Sequence, residues 1–349
     1  MLTLTIAVSQ TKILLKWLGI LLSILIFVII INKFVIDIKE RLSPTRPPPP
    51  TVAFGKLPPI LFPRNATDKT LTYSLDTLTG LFPTLPDQIK VHKMVEIKPE
   101  FLALDRSRQK VARLGFKSKE TQISESLYRW LDEASPSREI TFNIFTHDFN
   151  LSSAFLSDPL STQSPGNFSD ENSVINASRK FLSTISSFPD DIDLTKTKTL
   201  LYSIKDFNLF PATSISNAKV IRVDFFQGNV SELPVYYPNY STSTINLLVI
   251  ALEHKYLVVG ANFHYQPISN ESYTYPIKTA SEAFEELKNQ KAYIASYFNA
   301  DANISIKNIS LGYYIGTEKQ NYLLPIVIFQ GVNGFVAYVS AVRDEWISN

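Results

Sequence analysis

The chain has 349 residues, 45% hydrophobic and 12% aromatic, with 34 basic and 32 acidic side chains and a net charge of +2. Such a chain can build a core, so disorder is excluded, and no long basic stretch is present for a nucleic acid to bind. Cysteine is absent, which excludes disulfides, thiol nucleophiles and Cys-ligated metals and leaves the fold to packing alone.

Trp17 to Ile36 reads as a membrane span. About 20 apolar residues in a helix cross a hydrocarbon core of roughly 30 Å. Lys33 lies close enough to one end to snorkel, and Trp17 sits at the other, where an indole prefers the interface. A cleaved signal peptide fits less well, because the run is too long for an h-region and no small-x-small site follows it. Orientation has two readings. Lys12 and Lys16 before the span are outnumbered by Lys33, Lys39, Arg41 and Arg46 after it, which by the positive-inside rule leaves the body in the cytoplasm. The short N-terminal tail, the length of the body and its Ser/Thr/Asn/Tyr-rich, 19% charged composition favour an extracytoplasmic body, which is the orientation expected here. Residues 1–42 are then a cytoplasmic tail and single span.

Residues 43–63 form a Pro-rich linker. Eight prolines exclude a helix or a central strand there. An extended polyproline II spacer would reach roughly 60 Å. Alternatively the linker folds back, packing Leu57, Ile60, Leu61 and Phe62 on the body.

Beyond the linker the pattern predicts three modules of one helix and antiparallel strands, at 64–156, 171–268 and 269–349, an α+β class. The first has strands at Leu71–Leu75 and Gln88–Ile97. A helix follows at Pro99–Leu114 with Phe101, Leu104, Val111 and Leu114 as its stripe, then strands at Glu125–Leu131 and Glu139–Phe149. Ser157–Asp170 is a turn-rich boundary. The second module has a helix at Asn172–Ser187 and strands at Thr199–Ile204, Val220–Phe226, Ile245–Leu252 and Tyr256–Gln266, with a Pro- and Tyr-rich loop at Leu233–Ser243. The third opens with a capping box, Thr279 followed by Glu282, and an inner stripe of Ala280, Ala283, Phe284 and Leu287. Its strands are Ile304–Ile315, Tyr322–Gln330 and Phe335–Val342. Pro325 suggests an edge strand, Gly331 and Gly334 a short hairpin connection, and Gly312 a close backbone approach or bulge.

Three stretches of this last unit carry a resemblance: 280–292, 306–314, and the strand pair Tyr322–Gly331 with Val336–Val342. Over roughly residues 276–342 it resembles the PepSY-like modules of bacterial envelope proteins, and most of all the C-terminal module of YycI-type regulators. The resemblance implies one N-terminal span, an extracytoplasmic α+β body built of tandem PepSY-like modules, and a membrane-embedded sensor kinase as partner. It carries over no catalytic residue. The chain as a whole is similar to uncharacterised bacterial membrane-anchored proteins.

Chemistry-bearing residues are sparse. The four histidines, His92, His147, His254 and His264, have no zinc-ligand spacing. His147-Asp148 and Glu253-His254 are adjacent pairs, and strand neighbours face opposite ways. Asp190-Asp191-Ile192-Asp193 could bind calcium but lacks the glycine and distal glutamate of an EF-hand loop, so a solvated turn is the better reading. No hydrolase elbow, phosphate loop or glycosidase signature occurs. Tyr236-Tyr237-Pro238-Asn239-Tyr240 and Tyr273-Thr274-Tyr275-Pro276 place tyrosines beside prolines, where they either bind a ligand or close a core from its edge. The expectation is a non-enzymatic protein without cofactor or metal, acting as an envelope regulator or scaffold through a protein partner. The alternatives are a binding module for wall glycan or peptide, and an inhibitor or chaperone of an envelope protease.

Overall fold

The computed structural model describes residues 16–34 (except Gly19 and Ile24), 48–65, 70–135, 137–157, 166–185, 188–253, 255–298 and 302–348. The chain divides into two compact units, Met1–Pro49 and Pro50–Asn349. In the first, helix α1 (Lys16–Phe34) is long and apolar enough to cross a membrane, the one such helix among the described residues. A continuous helix bonds its own backbone, which is what a bilayer interior demands. The expected span's last two residues, Val35 and Ile36, lie outside the described residues. So do the N-terminal tail, the linker's first five residues, the middle of the turn-rich boundary and His254.

The second unit is mostly sheet. It opens with strands β1 (Thr72–Leu75) and β2 (Gln88–Met94), then helix α2 (Ala103–Ala112). Strands β3 (Thr121–Gln122), β4 (Leu127–Leu131), β5 (Glu139–Asn143) and β6 (Phe149–Ser152) follow. Next come α3 (Glu171–Ile185), β7 (Lys198–Lys205), β8 (Asn208–Pro211), β9 (Val220–Phe225), β10 (Val235–Tyr236), β11 (Ile245–Leu252) and β12 (Lys255–Phe263). Nine of these strands form one antiparallel sheet in the order β3-β4-β5-β6-β12-β11-β9-β7-β8. Its two halves meet where β6 pairs β12, Phe149 opposite Phe263 and Leu151 opposite Ala261. Stacked rings mark the seam, Phe142 on Phe149 at 6.2 Å and Phe149 on Phe263 at 5.4 Å.

Strand alternation turns Ile140, Phe142, Ile221, Val223, Phe225, Leu247 and Val249 to one face, where α2 and α3 cover them. Helix α3 buries Val174, Ser178, Leu182 and Ile185, spaced as one helical stripe requires. Helix α2 begins later than its sequence pattern suggests. It buries Ala103, Ser107 and Val111, while Phe101, expected in the stripe, is fully exposed. The single strand expected at Glu139–Phe149 is two. The Asn143 side chain accepts from the Phe145 and Thr146 amides at 3.0 and 3.1 Å, and His147 takes φ +62°. A local Asx turn thus outcompetes the ladder.

The remaining strands form an eight-stranded mixed sheet. After β13 (Ile268–Pro276) come α4 (Ala280–Lys288), β14 (Tyr293–Ser296), β15 (Asn303–Tyr314), β16 (Tyr322–Gly331) and β17 (Val336–Ser340). The main path is β1-β15-β16-β17-β14, with β10 also on β15, and β2 joining β13 to β16. Thus β1 and β10 run parallel to the two ends of β15 and cover the edge that β16 leaves free. This corrects the expectation of tandem modules with one helix each. Strands 72–75 and 88–94 join the C-terminal sheet, the 233–243 loop contributes β10 to it, and the other strands of the first two segments merge into one sheet under two helices. Helix α4 carries the expected capping box, with the Thr279 hydroxyl accepting from Glu282 N and the Glu282 carboxylate accepting from Thr279 N.

Pro325 is not in an edge strand, because β16 lies between β15 and β17. It sits one residue beyond the β16–β17 ladder, which runs from Ile326–Ser340 to Gln330–Val336. There its carbonyl still accepts from Ala341 N at 3.0 Å and the missing donor interrupts nothing. The described part of the linker folds back. Val52 N donates to Thr274 O, Leu57 N to Trp346 O and Ser348 N to Leu57 O. Leu57 is fully buried and Ile60 and Phe62 pack on core residues, whereas Leu61 is exposed.

Candidate functional site

An aromatic concavity lies beside edge strand β14. It is a cleft of about 500 Å³ lined by Pro63, Arg64, Pro238, Asn239 and the run Tyr293–Phe298. One wall is the 236–240 loop, tied down because the Tyr293 hydroxyl donates to Pro238 O at 2.8 Å. The other is the outer edge of β14, whose one strand partner among the described residues is β17. There Asn65 imitates a strand: its Nδ2 donates to Ala292 O and its Oδ1 accepts from Ile294 N, at 3.1 and 2.7 Å. Phe298 projects at the mouth, 80% exposed.

Behind the cleft is an aromatic bed. Phe62 stacks on Tyr293 at 5.4 Å and meets Tyr314 edge-on at 4.8 Å, and Tyr338 lies 6.0 Å from both tyrosines. Tyr236 stacks on Tyr240 at 5.8 Å, and Gln330 Nε2 donates to the Tyr240 hydroxyl. Burial pushes the phenols of Tyr236, Tyr293, Tyr314 and Tyr338 above the ordinary tyrosine range, so they stand as neutral donors. The buried hydroxyls of Tyr314 and Tyr338 have no hydrogen-bond partner among the described residues. The arrangement offers flat apolar faces, a strand edge partly occupied by Asn65, and one exposed cation at Arg64. It can hold a sugar ring or an extended peptide.

The sequence-flagged tyrosines divide. Tyr237 is 2% exposed and bonds Gln227, and Tyr275 is fully buried with its hydroxyl donating to Gly55 O at 3.0 Å. Tyr273 meets Phe54 edge-on at 4.7 Å. These close cores and hold the folded-back linker. Only the 236–240 loop reaches the cleft. Of the residues that complete it, Phe62 is expected from the sequence only as a linker residue packing on the body, and Arg64, Tyr293, Tyr297 and Phe298 carry no sequence motif. The close spacing of Tyr293, Tyr297 and Phe298 around a short strand is the signal that could have found them.

The described histidines are joints. His147 sits in the β5–β6 turn with its Nε2 3.3 Å from Lys110 Nζ, and Asp148 pairs instead with His264 Nδ1 at 2.9 Å. His264 Nε2 meets Gln266 Nε2 at 3.0 Å, and Gln266 donates to Glu318 O and accepts from Gln320 N. This chain of bonds ties the β12–β13 connection to the β5–β6 and β15–β16 turns around a cavity of about 40 Å³. His92 Nε2 lies 3.0 Å from the Ser231 hydroxyl. Burial lowers the His92 and His147 imidazoles below their ordinary value, with Lys90 and Lys110 adding to it. In the acidic cluster Asp191 accepts from Gln227 Nε2 and Asp193 caps the turn at Leu194–Lys196. No group of three metal-ligating side chains forms among the described residues.

No family model matches the chain, and no curated protein matches it in sequence. Among solved structures it is similar to an uncharacterised protein from Eubacterium rectale, with a TM-score of 0.40 and 14% identity, covering 80% of this chain and 90% of that one. It is also similar to the YpeB C-terminal domain of Bacillus megaterium, with a TM-score of 0.29 and 11% identity over 71% and 95% of the two chains.

Proposed function

We propose that the chain is a membrane-anchored, non-enzymatic protein whose PepSY-like body lies outside the cytoplasm and acts by contact with another envelope protein, in a regulatory or scaffold role. The supporting observation is one helix, among the described residues, long and apolar enough to cross a membrane, followed in sequence by a large, mostly sheet body. Protease accessibility in intact cells against inside-out vesicles tests the orientation. Cleavage in cells is expected; protection in cells with cleavage in vesicles would place the body in the cytoplasm and sink the reading. Replacing α1 by an unrelated span tests the partner: a co-purifying membrane protein is expected to be lost, and an unchanged partner set would reduce the span to a tether.

The aromatic cleft favours a second reading, a binding module for wall glycan or peptide. Phe298→Ser with Tyr297→Ala removes two side chains from the cleft lining. Retention on isolated wall material is expected to fall at least tenfold, and unchanged retention would remove the cleft from consideration.

A further inference from the structure

A second cleft, of about 640 Å³, opens where the end of α2, the outer face of α3 and the start of β12 converge. Among the described residues its lining includes four basic side chains, Arg113, Arg138, Lys180 and Lys255, against one acidic, Asp132. The whole chain carries a net charge of only +2, so a four-to-one basic lining departs from its average balance.

The charges play two parts. Arg138 is a fixed floor, 8% exposed. Its Nη1 donates to Asp132 Oδ2 at 2.7 Å and to Leu114 O, its Nη2 donates to Val258 O, and its guanidinium lies 4.6 Å from the Phe116 ring centre. Asp132 is committed to this contact and to the Ala134 amide, so it does not offset the other cations. Arg113, Lys180 and Lys255 are exposed and come from three elements, and none has an ion-pair partner among the described residues. Elsewhere Arg106, Arg108, Arg129, Lys288 and Lys307 each sit beside a carboxylate. Three exposed cations lining one concave surface repel one another, which favours entry of an anion, and a concave wall focuses their field. Guanidinium and ammonium together suit a phosphate, whose several oxygens take a forked donor and point charges at once.

We propose that this cleft binds phosphate-bearing anions, contacted by Arg113, Lys180 and Lys255 over the Arg138 floor. The phosphate can belong to a soluble polyanion or to a lipid headgroup, and the test separates them. The full chain in phosphatidylcholine nanodiscs is titrated calorimetrically with inorganic tripolyphosphate, and in parallel sedimented with phosphatidylglycerol or phosphatidylcholine vesicles. Saturable binding to one probe is expected, weakening as salt screens it. Arg113→Glu/Lys180→Glu/Lys255→Glu is expected to weaken that binding at least tenfold, and the milder Lys180→Gln/Lys255→Gln several-fold, which keeps the test open if the triple variant misfolds. Reversing Lys56, Lys205 and Lys291 instead should leave binding within twofold. Tripolyphosphate binding assigns a soluble anion, and selective phosphatidylglycerol binding assigns a headgroup. Binding of neither probe, unchanged binding in the cleft variants, or equal loss in the control reversal overturns the proposal.

Discussion

Gly312 is held by what lies over it. A β-carbon there would run into the Tyr236 ring and stand 2.9 Å from Pro234 O, so β10 can approach β15 only because the side chain is missing. Gly312→Ala is expected to destabilise by about 1–3 kcal/mol, as overpacking does, and to lower the melting temperature. Gly260→Ala, whose nearest neighbour is the mobile end of Leu248 at 3.2 Å, should cost less; equal losses would mean the Tyr236 contact is not the cause. Gly312 was legible as a close approach, because a lone glycine among aromatics implies one. The partner was not, since Tyr236, on the two-residue strand β10, is remote in sequence. Buried tyrosines make a second prediction at this scale. Burial pushes the phenols of Tyr237 and Tyr313 up to about 12. A raised folded-state value means the fold favours the neutral form, so their contribution is intact below about pH 10, the unfolded value. It is lost progressively as pH rises from there towards about 12. Circular dichroism should fade together with the rise of tyrosinate absorbance in that window. Full ionisation at pH 10 with the fold intact would contradict it.

Among the elements, α4 is the most locally specified. Its cap depends on Thr279 and Glu282, three residues apart. Thr279→Ala is expected to cost about 1 kcal/mol and Thr279→Ser almost nothing, measured by denaturant midpoint. The box also holds the Glu282 carboxyl below its usual range, chiefly through the Thr279 amide, so its contribution is present above the unfolded value and lost as the solution is acidified. Elements of this kind, like the long strands β11, β15 and β16, could be read from periodicity because every signal lies within one turn or one strand. Short strands could not. β10 has two residues, and its identity as a strand depends on Tyr313 and Tyr314 receiving it. β5 and β6 looked like one strand because apolar alternation continues from Phe142 to Ile144, while the turn is decided by the Asn143 side chain.

For the whole molecule, the packed linker is the testable feature. Leu57 is fully buried and bonds the C-terminal segment at Trp346 and Ser348. Leu57→Ala is expected to cost about 2–5 kcal/mol. A chain beginning at Arg64 should likewise melt well below one beginning at Pro50, whereas equal melting would show that residues 50–63 merely lie on the surface. The sequence left an extended spacer and a folded-back strap equally open, since prolines permit both and only the receiving surface decides. The candidate site was half legible for the same reason: the 236–240 loop stood out by composition, but β14 and Phe62 had to be brought to it.

What the sequence determined by itself is the apolar helix, the absence of any cysteine-based support, the capped helix α4 and the long strands of the C-terminal unit. Each follows from residues near one another in the chain, where helical or strand periodicity and capping act directly. What only the tertiary structure decided is partnership: Thr72 beside Asn303, Val235 beside Tyr313, Phe149 beside Phe263, and Asp148 beside His264. Strand edges accept any backbone, so which segment covers which edge is settled by the shape and burial of the assembled body, and that assembly turned three expected modules into two shared sheets.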